Sequence, residues 1–288
     1  MNGNASITLL APAKLNLALD VLNKRADGYH ELDMLMVSVS LYDTLSMQPS
    51  STSHVSYTGM AAPQNDTVTR ALAAYRMRTR RHCGARVQVQ KRIPTEAGLG
   101  GGSADAAAAL RGMQRFYGAL SSEALLDAAL EVGTDVPYCL HNDACRAGGV
   151  GEKLIYLRTP RLPLWFLILK PQSGISTSRL FSTLRLPVAH PRVDLAQQAL
   201  VTANSALLGS LLQNALQPAA CAILPEIDAL CNALLQRGAL GAAMTGSGSA
   251  LFGLFASEQT ARRAQTHFSD CAFHFVCKSI RPFEIDTL

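Results

Sequence analysis

The stretch GLGGGSADAAAAL, Gly98 to Leu110, joins two opposite backbone chemistries. Glycine is poor in helix interiors and alanine is the best helix former, so the run reads as a pliable tip fused to the start of a stiff helix. The first N–H groups of a helix have no partner inside it, and the helix dipole adds partial positive charge there. Glycines let such a backbone approach a ligand closely. Gly98, Leu99, Gly100, Gly101, Gly102 and Ser103 therefore have the makings of a phosphate cradle. The Ser103 hydroxyl would bond a phosphate or reach its metal, and Asp105 is expected in the first helical turn, where the dipole favours an anion. The same residues would also serve a tight turn backed by a slim packing helix. The spacing fits neither G-x-x-x-x-G-K-[ST], because no lysine follows the glycines, nor G-x-G-x-x-G. A phosphate bound here needs its charge offset by Mg2+ or by a lysine from elsewhere in the chain.

Lys14, with Asn16 beside it, is one such lysine. In AKLNLALDVL, Ala13 to Leu22, the residues Leu15, Leu17, Leu19 and Val21 alternate with Lys14, Asn16, Ala18 and Asp20. Alternation of this kind predicts a half-buried strand with the leucines on one face and Lys14 and Asn16 together on the other. NKRADGYH reads as a loop with its turn at Asp27-Gly28, and MLMVSVSLYDTLSM as further strand. DTVTRALAAYRMRTR reads as a helix capped by Asp66. ARVQVQKRI alternates again and stops before Pro94, so the glycine stretch follows a strand and opens a helix. SSEALLDAALEVG reads as a short helix closing on Gly133, and TDVPYCL as a strand after it. The composition shifts at Thr159-Pro160-Arg161-Leu162-Pro163, which divides the chain into domains 1–160 and 161–288. Beyond it come LWFLIL, a helical Leu/Ala-rich middle, GAAMTGSGSALFGLF and a strand-like HFVCKSI. The order of elements predicts a mixed α/β or α+β protein, not a bundle.

The 288 residues suffice for a sizeable core. With 48% hydrophobic and 16% charged residues the chain is globular. A net charge of +5 suits an anionic small molecule but is too diffuse to argue for nucleic acid. The basic run RMRTRRHCGAR is read as a solvated helix end. Seven cysteines, with no Cys-x-x-Cys pair, predict reduced thiols and a cytoplasmic location. MNGNAS lacks a basic start, so no signal peptide is expected. The apolar run LPLWFLIL is far short of the ~20 residues of a bilayer span, so no membrane partner is expected.

Three segments, PAKLNLALDVLNKRADGYHEL, IPTEAGLGGGSADAA and MTGSGSALFGLF, resemble in order the three motifs of the GHMP kinase superfamily. Lys14-Leu15-Asn16 followed by Arg25-Ala26-Asp27-Gly28-Tyr29-His30, together with GTDVPYCL, resembles the branch that acts on a cytidine diphosphate-linked methylerythritol in non-mevalonate isoprenoid synthesis. The resemblance implies an α+β GHMP kinase fold. Its N-terminal domain is ribosomal-protein-S5-domain-2-like, with a left-handed βαβ unit, and its C-terminal domain is ferredoxin-like, with the substrate cleft between them. It implies transfer of the γ-phosphoryl group of ATP, with Mg2+, to the 2-hydroxyl of the methylerythritol moiety, in a monomer or homodimer. Asp135 is then the catalytic base and Lys14 the cation that stabilises the transferred group. Gly98 to Ser103 hold ATP, with Ser103 also a candidate metal contact. Asn16 positions the hydroxyl or a water; Tyr29 and His30 read the cytosine, with Phe181 stacking on its other side. Thr245, Gly246 and Ser247 line the cleft near the substrate phosphates. Two segments depart from the superfamily pattern. Ala104 stands where many relatives carry a second serine, and QNALQP, Gln213 to Pro218, keeps only Asn214 and Leu216 of an Asn-Asp-Leu-Glu-type run. The competing readings are another superfamily alcohol kinase, for homoserine or mevalonate-type acceptors, and a catalytically silent phosphate-ligand binder. Asp27-Gly28-Tyr29-His30 argues against the first, and the presence of both Lys14 and Asp135 against the second.

Overall fold

The computed structural model describes residues 6–80, 82–160, 162–185 and 192–282. Met1 to Ala5, read above for a leader, and Arg161 within the expected boundary lie outside the described residues. The strands are β1 Ile7–Lys24, β2 His30–Ser50, β3 His54–Thr58, β4 Gly84–Gln90, β5 Cys145–Gly149, β6 Lys153–Tyr156, β7 Trp165–Lys170, β8 Gln213–Asn214, β9 Gly241–Met244, β10 Leu251–Phe255 and β11 Phe273–Lys278. The helices are α1 Thr67–Thr79, α2 Gly101–Tyr117, α3 Ser122–Val132, α4 Val136–His141, α5 Thr177–Thr183, α6 Val193–Val201, α7 Ser205–Ser210, α8 Gln217–Ile223, α9 Glu226–Gln236 and α10 Glu258–Gln265.

Two sheets result. The first runs β3-β4-β2-β1-β8, with β5 on β2 and β6 on β5. The second runs β11-β7-β10-β9. The chain passes from one sheet to the other between Tyr156 and Trp165. It then returns at β8, which pairs in parallel with β1, Ala18 with Gln213 and Leu19 with Asn214, and again after β11, where Ser279 bridges Val39 of β2. Among the described residues no single helix is long and apolar enough to cross a membrane, and all seven cysteines are unpaired.

β1 departs from the expected half-buried strand. From Ala11 to Val21 every residue is buried, and the leucines do not share one face. Leu15 and Leu17 pack with Phe166, Ile168 and Phe252 of the second sheet. Leu19 and Val21 pack with the alanines of α2 in the other core. Register shifts between Pro12 and Lys14 and between Asn16 and Ala18 explain the change. At the first shift β2 runs four residues against two of β1, and at the second β1 runs two against one of β2; such irregularities interrupt the side-chain alternation. The segment between the bulges is therefore turned over, and Lys14 and Asn16 face the side on which α2 packs.

α2 forms as the Gly/Ala composition predicts. Its first residues are glycines, and Ala104 and Ala106 to Ala109 are buried against the first sheet. Asp105 does not stand in the first turn; it lies one residue too deep and is itself buried. TDVPYCL is not a strand but the start of α4, with Asp135 at its N-cap and a proline in the first turn. Proline presets helical φ and lacks an N–H that would have no partner there anyway, whereas within a sheet it would break the ladder. Tyr138 on α4 is fully buried, its hydroxyl 2.9 Å from Ser38 Oγ on β2.

Candidate active site

Four segments distant in sequence meet at one spot. The inverted stretch of β1 presents Lys14, only 5% exposed. Its ammonium donates to Asn16 Oδ1 at 2.5 Å and lies 3.7 Å from Asp135 Oδ2 at the start of α4. The Asp135 side chain keeps 29% of its surface open. Lys14 N donates to Leu99 O at 3.0 Å, so the same residue ties β1 to the glycine loop. The loop from Gly98 to Gly100 and the third-motif turn at Gly246 close the spot from either side.

The two glycine segments are built against each other. A Cβ on Gly98 would meet Thr245 O at 2.2 Å, and one on Gly246 would meet Gly98 O at 2.8 Å and approach Lys14 Nζ to 3.2 Å. These two glycines are thus required by loop-on-loop apposition. Ser249 N and Ala250 N donate across the same seam to Glu96 O and Ala97 O, each at 3.3 Å. Asn214 secures the turn from below: its Nδ2 donates to Met244 O at 2.9 Å and Gly246 O at 2.8 Å, while its Oδ1 accepts from Leu216 N at 2.9 Å.

Among the described residues, nothing in the protein accepts a hydrogen bond from the Gly101, Gly102 or Ser103 amides. They open beside the start of α1, where Thr67 Oγ1 donates to Gly102 O at 2.7 Å. Behind them lies a buried charge cluster. Lys91 Nζ donates to Asp105 Oδ2 at 2.6 Å and pairs also with Asp43, and Asp43 Oδ1 accepts from Ile93 N at 2.8 Å. Burial lifts the Asp105 carboxyl to about 7, against the opposing pull of Lys91, and its Oδ1 is buried without a partner. Burial also works against the Lys91 ammonium, but Asp105 and Asp43 together hold it above the ordinary lysine range.

A cavity of about 660 Å³ opens from Lys14 and Asp135 outward. Gly98, Gly100, Gly246 and Ser247 line its inner end, and Tyr29, His30 and Phe181 its outer end. Tyr29 is 64% exposed at the mouth; its loop is held by Asp27 Oδ1, which accepts from Tyr29 N at 3.1 Å. The His30 and Phe181 rings pack directly on each other, with centroids 4.9 Å apart at a 30° tilt. That separation is a ring pair in contact, which leaves the Phe181 face turned from His30 and the Tyr29 ring as the aromatic surfaces open to a base. Burial, and then the charge of Lys24, lower the His30 imidazole from its ordinary value, which favours the neutral ring, able both to donate and to accept.

Some expected residues stand outside this cavity. Asn16 is fully buried, and its side chain is engaged by Lys14 and by Met34 Sδ, 3.2 Å from its Nδ2. It is thus placed to hold Lys14 and not to touch a hydroxyl. Thr245 is fully buried, its hydroxyl accepting from Asn16 N at 3.0 Å, and Leu99 is buried as well. Residues missed from the sequence are Lys24, Met34, Val150 and Thr177 in the cavity wall and Asn214 beneath it. Thr177 Oγ1 lies 2.7 Å from Ser247 Oγ. Lys24, next to the Asp-Gly-Tyr-His turn, carried a usable signal in its charge, and Asn214 in its retention from the Asn-Asp-Leu-Glu-type run; Met34, Val150 and Thr177 carried none.

The arrangement has counterparts in known proteins. Residues 66–143 match the GHMP kinases N terminal domain and residues 195–272 the GHMP kinases C terminal domain. A 4-diphosphocytidyl-2-C-methyl-D-erythritol kinase of Pelotomaculum thermopropionicum is 38% identical over 270 residues, covering 91% of this chain and 93% of the relative. The chain belongs to the 4-diphosphocytidyl-2-C-methyl-D-erythritol kinase family of GHMP kinases. A second member of that family, from Carboxydothermus hydrogenoformans, is 40% identical over 85% of this chain and 87% of its own. The crystal structure of a 4-(cytidine 5'-diphospho)-2C-methyl-D-erythritol kinase superposes with a TM-score of 0.83 at 32% identity, over 94% of this chain and 98% of that one. The mixed α/β architecture with two sheets is thus the GHMP kinase fold, and the family supplies ATP as the phosphoryl donor.

Proposed function

We infer that this chain transfers the γ-phosphoryl group of ATP to the 2-hydroxyl of 4-diphosphocytidyl-2-C-methyl-D-erythritol. The observation that carries the reading is the pairing of Lys14 Nζ with Asp135 Oδ2 at 3.7 Å, beside the amides at the start of α2. In this reading the Gly101, Gly102 and Ser103 amides receive the triphosphate. Asp135 orients the acceptor hydroxyl and takes its proton as the oxygen bonds to the γ-phosphorus; the bond to the β–γ bridging oxygen breaks and ADP leaves. An ordinary carboxylate is too weak a base to remove an alcohol proton in advance, so its contribution falls in the transition state and in alignment. Lys14 offsets charge on the transferring group, and Asn16 holds Lys14 in place.

Magnesium fits the donor set. The ion keeps water and phosphate oxygens and needs few protein ligands, and the half-buried Ser103 hydroxyl stands at the third position of α2. When bound, Mg2+ would neutralise the triphosphate. Tyr29 and the His30–Phe181 pair take the cytosine, with Lys24 in the same wall suited to the diphosphate. Partners are small molecules, with neither nucleic acid nor membrane, acting on a monomer or homodimer. Seven unpaired thiols suit the reducing cytoplasm.

Turnover of Mg-ATP with the cytidine-linked acceptor tests the reading. Asp135→Asn should lower kcat by about 10²–10⁴-fold, the usual range for a general base, while ATP still binds in calorimetry. Unchanged turnover in this variant would defeat the assignment.

A further inference from the structure

Opposite Asp135, the β5–β6 hairpin turns through Gly149, Val150, Gly151 and Glu152. The Glu152 carboxylate accepts from Val150 N at 2.7 Å and fills the space on the Cβ side of Gly149. Gly151 N donates to Gly148 O at 3.1 Å. The turn is thus closed by its own backbone and by Glu152, and it sets Gly151, at φ +116°, against the candidate base. A Cβ on Gly151 would stand 3.6 Å from Asp135 Oδ1, 3.5 Å from Met34 Cε and 3.8 Å from Thr134 O. All three of those residues line the cavity.

From this geometry we infer that Gly151 is a specificity-determining residue: its missing side chain makes room for the carbon substituent that distinguishes a tertiary from a secondary alcohol at the reacting carbon. The inference rests on the function proposed above. A hydroxyl bonded to a carboxylate oxygen at about 2.7 Å puts its carbon about 3.5 Å from that oxygen. In a tertiary carbinol this carbon bears three carbon substituents. Two continue the chain, and the third must be accommodated beside the base itself. The Cβ side of Gly151, just behind the cavity wall at Val150, faces Asp135 Oδ1 and Met34 Cε, and the Met34 methyl makes that side apolar and suited to a methyl group. A methyl fixed on the protein at Gly151 would compete for the same volume.

The test compares two acceptors in each protein: the methyl-bearing substrate and its desmethyl analogue, cytidine diphosphate-linked erythritol. Gly151→Ala should reduce kcat/KM for the methyl-bearing acceptor at least about 30-fold more than for the desmethyl one. Damage to the turn alone would lower both equally, and that result overturns the inference. Because φ +116° strains any side chain, Met34→Ala approaches the same space from the other wall. It should raise the activity ratio of an ethyl-bearing to the methyl-bearing acceptor at least about 10-fold. An unchanged ratio again overturns the inference. Should the unmodified protein turn over neither acceptor with Mg-ATP, the function itself fails and the Gly151 assignment falls with it.

Discussion

Lys14 owes its position to a neighbour that never meets the cavity. Asn16 gives the ammonium a fixed acceptor, so the pair works as one unit and only Lys14 faces the reaction. Asn16→Ala is expected to lower kcat roughly 10-fold, the scale of one charge-assisted hydrogen bond, with the acceptor KM nearly unchanged. Steady-state kinetics with each substrate varied would separate the two effects; a rise in KM alone would assign Asn16 to binding. The Asp43–Lys91–Asp105 cluster yields a different kind of expectation. In the folded chain Asp105 holds its proton up to about 7, whereas in the unfolded chain it releases it near the ordinary value of about 4. Between those values the folded state binds more protons, so this residue costs stability as pH rises. Asp105→Asn removes that cost and can still accept from Lys91. Its Tm gain over the parent should be small below pH 4, grow between pH 4 and 7, and level off above. A gain that shrinks with rising pH would contradict the assignment.

The glycine segments act as paired elements, and a side chain in one is felt in the other. Gly98→Ala drives a methyl into Thr245 O at a backbone φ of +70°. The expected loss is about 1–3 kcal/mol for the strained backbone alone, together with reduced ATP turnover; urea unfolding and kinetics would measure both. The glycine loop and its helix were legible in the sequence because their chemistry is local. Glycine and alanine sit at opposite ends of helix propensity, and Asp66 lies where an N-cap belongs, accepting from Val68 N at 2.9 Å. β1 was legible as a strand but not in its facing, because a bulge is fixed by the partner strand's register and leaves no mark on the alternation itself. TDVPYCL misled because a short apolar run suits a strand or a buried helix equally, and only Pro137 in the first turn separated the two. Asn16 and Thr245 were legible as neighbours of the site. That they support Lys14 from within, instead of lining the cavity, follows from burial that only the assembled sheet supplies.

At the scale of the molecule, the site is a seam. Lys14 and the glycine loop belong to the first sheet and its helices, the Gly246 turn to the second sheet, and hydrogen bonds from Asn214, Ser249 and Ala250 cross between or beneath them. The opposite face of the first sheet packs its leucines on Phe166 and Phe252 of the second. Both halves should therefore unfold in one calorimetric transition. A nucleotide at about 100 times its Kd should raise the whole transition by about 2.7 kcal/mol of stability. Two separate transitions, with only the first half responding to nucleotide, would refute that coupling. The two-residue strand β8 carries a consequence for biosynthesis. Until residue 214 has left the ribosome, the backbone of β1 at Ala18 and Leu19 has no neighbour on that side. Contacts so far apart in sequence close slowly, and an open sheet edge invites pairing with other chains. The nascent N-terminal half is thus the stage at which this protein is most exposed to aggregation, and a chain truncated before Gln213 should depend on chaperones where the full one does not.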